Sequence, residues 1–256
     1  MSSGAEGNLK SWVRTLPEPE AMTLLDLARP GVRLELWRQE ADATLTQEDA
    51  SYRTLLIKMV ERMMLDHDGE RILDSRYLWH FQNGWPAQRM DLFLARYGLA
   101  HPWTALAGRE LLLPALSTAE ARDAPEDAGF IELSDVDAFV ARHIDPNIGE
   151  SSRKKTRSTI VGLFRKIGNL EQNGSSRDPL QVRRTQPTPL AFGWVVAQQL
   201  RQTPDQEVTE QWAASHSKAM ALFTPTDSYA ERCVEAAVTA GLLKRPLLSV
   251  GLTSAS

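Results

Sequence analysis

The sequence predicts a mainly α fold: an N-terminal helical, bundle-like domain followed by a winged-helix-like domain with short β-strands. Three observations predict it. Apolar residues recur at three- and four-residue intervals through the first 116 positions. A polar stretch of Ala, Asp, Glu and Pro follows, Ser117–Gly129. Beyond it the order is helix, turn, basic helix, turn and a short basic extended segment. The expected boundaries are a disordered tail over 1–10, a helical domain over 11–116, a linker over 117–129 and the nucleic-acid-binding domain with a helical extension over 130–256.

In the first domain, Met22, Leu24, Leu25 and Leu27 precede a stop at Arg29-Pro30-Gly31, predicting a helix over 18–28. A second is expected over 32–40. The clearest runs from Gln47 to Leu65, where Tyr52, Leu55, Leu56, Met59, Val60, Met63 and Met64 repeat at helical spacing. Arg71–Phe81 reads as helical. Pro86 starts the next helix, with Gly98 as its expected stop, and Leu106–Leu116 forms another that ends near Pro114.

The second domain opens with a helix over 135–143. Ser134 is its expected N-cap, with Asp137 in the capping-box position. The basic helix follows, capped by Ser151 or Ser152, with Ile160, Val161, Phe164 and Ile167 inward and Gly168 or Asn169 as the left-handed stop. Asn173–Ser176 is a turn, Gln181–Thr185 a basic strand, and Pro187–Leu200 a proline-marked helix. A helix over 227–240, stopped by Gly241, and a strand over 247–252 partly repeat the order.

Charge singles out the basic segment. Between Ser151 and Arg184 nine cations face only Glu171 and Asp178, a net of +7, so the remainder of a chain of net charge −4 carries −11. Such polarity lets a basic face meet a polyanion while the rest stays acidic. Arg153, Lys154, Lys155 and Arg157 occupy the expected start of the helix, where the dipole disfavours cations. Phosphate there would relieve the repulsion and accept hydrogen bonds from the free N–H groups. Arg165 and Lys166 lie farther along as backbone contacts, and Arg177, Arg183 and Arg184 serve the wing. Arg183 and Arg184 point to opposite faces of a strand.

Catalytic signatures do not appear. Walker, G-x-G-x-x-G, H-E-x-x-H and G-x-S-x-G patterns are all missing, and the five histidines are scattered. Asp66-His67-Asp68 sits at a helix end, where such residues cap or turn. One cysteine, Cys233, excludes an intrachain disulfide and reads as a buried thiol. Most of the seven tryptophans are expected in the core or at domain interfaces. Only Phe164 is aromatic in the basic helix, and it faces inward, so double-stranded DNA is favoured over single strands. No apolar run suits a membrane span and no signal peptide is evident, so a cytoplasmic location is expected.

Leu133–Leu200 resembles the BrxA family of the BREX phage-defence systems. The resemblance rests on a short helix, then Ser-x-Lys-Lys-Thr-Arg leading an amphipathic helix (Ser152–Ile167), then Gly168-Asn169-Leu170, an extended segment and the helix from Pro187 to Leu200. It implies an all-helical, non-enzymatic, DNA-binding accessory protein of a bacterial defence locus, with other subunits of a defence complex as partners. The expected function is therefore a DNA-binding accessory or regulatory protein that needs no cofactor. The alternative is a structural subunit of a multiprotein assembly that docks protein on the basic helix.

Overall fold

The computed structural model describes residues 16–120, 129–143, 149–172, 179–202, 208–244 and 249–250. The fold is mainly helical with small antiparallel sheets. Two compact units divide between Ala100 and His101. Composition placed the boundary later, at Ser117–Gly129, but Ser117–Glu120 completes a helix and Gly129 begins a strand. Residues 121–128 lie outside the described residues.

The first unit, Leu16–Ala100, packs α1 (Glu18–Leu27), α2 (Leu34–Thr44), α3 (Ala50–Met64), α4 (Arg76–Asn83) and α5 (Pro86–Ala100). Trp37 is fully buried, and its Nε1 donates to the Leu24 carbonyl at 3.2 Å. In α3 the inward residues are Leu56, Ile57, Val60 and Met64, while Tyr52 is exposed. The expected helix from Arg71 starts only at Arg76, because Ser75 caps it and Arg71 and Ile72 make β-bridges to Arg33 and His67. Gly98 does not stop α5; it is buried within the helix. The Asp66–Asp68 cluster holds a turn. Asp66 pairs with Arg96 at 2.8 Å, and Asp68 Oδ1 accepts from the Glu70 and Arg71 amides. Trp79 and Trp85 are more than half exposed, unlike the buried Trp37.

The second unit begins with α6 (Pro102–Ala107), a π-helical turn (Gly108–Leu112) and α7 (Leu113–Glu120), which run on continuously. Pro114 does not end this helix. The Leu113 amide bonds to the Gly108 carbonyl, five residues back, so the π turn takes up the register change next to a residue that has no N–H. Burial of His101, whose ring lies tilted 4.8 Å from that of Trp103, pulls its imidazole down to about 4.

Next come β1 (Gly129–Ile131), α8 (Leu133–His143), α9 (Glu150–Ile167), β2 (Leu170–Gln172) and β3 (Leu180–Val182). The strands form one antiparallel sheet in the order β1-β3-β2, with Leu180 opposite both Ile131 and Gln172. Gly129 admits no side chain, since a Cβ there would meet the Ala115 carbonyl of α7 at 2.7 Å. The basic strand is shorter than the expected Gln181–Thr185, and Arg183 and Arg184 follow it.

The chain continues through α10 (Pro189–Gln202), α11 (Glu210–His216), α12 (Lys218–Phe223) and α13 (Asp227–Thr239) to a hairpin of β4 (Leu243–Lys244) and β5 (Ser249–Val250). Cys233 is buried, and that burial raises its thiol to about 11. Among the described residues no helix is long and apolar enough to cross a membrane.

Candidate nucleic-acid interface

The basic helix α9 owes its position to its apolar side. Thr156, Thr159, Ile160, Val161, Leu163 and Phe164 are buried. Its start differs from expectation. Gly149 is the N-cap, without a side-chain hydrogen bond, and its carbonyl accepts from the Ser152 and Arg153 amides. Ser151 and Ser152 therefore belong to the first turn, and the cations begin two or three residues farther into the helix than the sequence suggested. The positive end of the helix holds an acid instead. Glu150 pairs with Lys154 at 2.7 Å, which lowers the pKa of its carboxyl group. An acid at the positive end offsets part of the expected like-charge strain at the helix start.

Six of the segment's cations fall into two sets, one anchored and one outward. Arg157 and Arg184 are tied into the fold. Arg157 donates to Asp137 of α8 at 2.6 Å and is only 26% exposed. That is why Asp137 does not serve the capping box of α8; Asp135 does, accepting from the Glu132 amide at 2.8 Å. Arg184 pairs with Glu120 of α7, donates to the Pro225 carbonyl at 2.7 Å, and is 15% exposed. Arg183 pairs with Glu171 of β2 at 2.5 Å. Arg153 is half-buried. Arg177 lies outside the described residues.

The outward set is Lys154, Lys155, Arg165 and Lys166, all exposed. With Ser151, Ser158 and Gly162 they occupy about 120° of the helix circumference at about 100° per residue. That face carries no acidic residue. The Ser158 hydroxyl donates to the Lys154 carbonyl at 2.9 Å, and a Cβ at Gly162 would meet nothing within 4 Å. Arg165 also donates to Gln172, which links the helix face to β2.

The other end of α9 is anchored by a polar junction that sequence reasoning took only as a helix stop. Gly168 is left-handed at φ 92°, and the Asn169 amide bonds back to the Phe164 carbonyl at 2.8 Å. Asn169 is fully buried. Its Nδ2 donates to the Phe223 carbonyl at 2.9 Å and to the Thr224 hydroxyl at 2.7 Å. Thr224 is itself left-handed at φ 43° and donates to the Arg183 carbonyl at 3.3 Å. Asn169→Ala strands buried acceptors and is expected to cost about 3 kcal/mol. Chemical denaturation checks this, and a loss below about 1 kcal/mol would show that the junction does not hold the helix end.

An open groove of about 530 Å³ between α7, β1 and α8 is mostly apolar, with Leu111, Phe130 and Phe139 in its wall. Its Glu110 is engaged by His143 at 2.8 Å and Arg142 at 3.4 Å. Compared with known proteins, the chain matches no family model, no curated protein and no solved structure.

Proposed function

We propose that this protein binds double-stranded DNA through α9 and acts as a non-enzymatic accessory or regulatory protein. The observation that carries the proposal is the outward face of α9. Lys154, Lys155, Arg165 and Lys166 stand there together and exposed, with Glu150 beside Lys154 at the helix start, on a helix whose other side is locked into the core. The order β1-α8-α9-β2-β3, with β3 in the middle of the sheet, supports a winged-helix reading in which α9 is the recognition helix and the β2–β3 hairpin the wing. Arg183, exposed and paired with Glu171 of β2, is the described cation that follows β3 on this wing. The resemblance of Leu133–Leu200 to the BrxA family extends the proposal to an accessory role in bacterial phage defence, alongside other subunits.

A salt titration tests it. Each phosphate neutralised releases counterions, so four outward cations predict a slope of about −3 to −4 in log K against log salt. Fluorescence anisotropy with a duplex of about 30 base pairs, long enough for one protein, reads that slope. A flat profile, or no binding at low salt, overturns the proposal in favour of a protein-docking role for the same face.

A further inference from the structure

We infer that α9 lies across the major groove of a duplex, its two cationic ends resting on opposite phosphate ridges, and so takes DNA of any sequence. This rests on the DNA reading above and departs from end-on insertion of the helix start.

The spacing of the cations comes first. Lys154 and Lys155 sit near one end of α9 and Arg165 and Lys166 near the other, on the same face. At 1.5 Å rise per residue the two pairs are about 16 Å apart. The major groove is about 12 Å wide, so long, flexible cationic side chains at that separation reach the backbone on either side. End-on insertion would instead put the helix start deepest. There the chain places Glu150, an acid held by Lys154.

The middle of the face supplies the second argument. Ser158 and Gly162 are what lie over the groove floor in this arrangement. The Ser158 hydroxyl already donates to its own helix, and Gly162 carries no side chain. Base edges are read by paired donors and acceptors, typically from Arg, Asn or Gln, and by apolar contact with the thymine methyl. The middle of this face offers neither. Glycine inside a helix costs about 1 kcal/mol relative to alanine. Among the described residues nothing crowds Gly162, so their packing does not require it. Close approach of a duplex does.

The test uses the full chain and fluorescence anisotropy. Three unrelated duplexes of about 30 base pairs are expected to bind within about threefold of one another, since phosphate contacts carry no sequence information. Lys154→Gln with Lys155→Gln, and separately Arg165→Gln with Lys166→Gln, should each weaken binding about tenfold or more and each reduce the salt slope by about two. Gly162→Gln places a side chain in open space, so the fold is kept, and it should weaken binding about tenfold by holding the duplex away. Duplex RNA, whose major groove is too deep and narrow for a helix, should bind more weakly than DNA. Binding that depends on the Lys154/Lys155 pair alone, that prefers one sequence by about a hundredfold, or that ignores Gly162→Gln overturns the inference while leaving DNA binding intact. Failure of the wild-type chain to bind any duplex removes the DNA reading itself, and the inference with it.

Discussion

Replacing Lys154, Lys155, Arg165 and Lys166 together with glutamine is expected to lower duplex-DNA affinity by roughly two to three orders of magnitude at moderate salt. The melting temperature should hardly move. All four side chains are exposed, and the pairs they make, such as Lys154 with Glu150, belong to the class of surface contacts worth under about 1 kcal/mol. Glutamine also keeps the helix propensity. The neighbouring cations of the same segment should behave in the opposite way. Arg157→Gln removes the tie from α9 to Asp137, and Arg184→Gln removes both the Glu120 pair and the bond to the Pro225 carbonyl. Each is expected to cost about 1–2 kcal/mol of stability, with a smaller effect on binding. Anisotropy and thermal denaturation on the same six-residue panel separate the two sets. If Arg157→Gln abolishes binding with an unchanged melt, the division of the segment into anchoring and outward cations is wrong.

Gly108→Ala is the largest expected stability effect, about 3 kcal/mol or more, although alanine is ordinarily the better helix former. A Cβ at Gly108 would lie 1.8 Å from the Ala221 carbonyl oxygen and 2.6 Å from its carbon. Those are backbone atoms of α12, and they cannot swing aside as a side-chain tip would. The helix from Pro102 to Glu120 would have to move off α12, opening the core around Leu112, Leu222 and Phe223. For a chain of this size the melting temperature should fall by about 6–12 °C. Gly162→Ala makes the internal control. It is also a helical glycine, but with open space around it, and should raise stability by up to about 1 kcal/mol. Equal effects at the two positions would refute the packing of this helix on α12.

Much of the helical content was legible because it follows from periodicity and local chemistry. The α3 repeat, Pro86 at the head of α5, Gly168 at the end of α9 and Gly241 after α13 all carry signals a few residues long. Some errors come from partners distant in the chain, others from a local choice between neighbouring residues. Arg71 and Ile72 leave the helical state because Arg33 and His67 offer them β-bridges. Ser134 loses its capping role because Asp135 bonds the Glu132 amide and Asp137 turns to Arg157. Tyr52, placed by spacing on the buried stripe of α3, is exposed because Ile57 takes the inward position.

By itself the sequence determined that the chain is mainly helical, that positive charge concentrates between Ser151 and Arg184, and that α9 has an apolar side. These are sums over neighbouring residues, and helical geometry converts them directly into a face. Which of those cations meets solvent was decided only by the tertiary structure. Arg157 and Lys155 are two residues apart and equally charged, yet one is held by Asp137 from another helix and the other stands outward. Ion pairing and burial depend on groups brought together through space, and the spacing of charges along one helix carries no record of them.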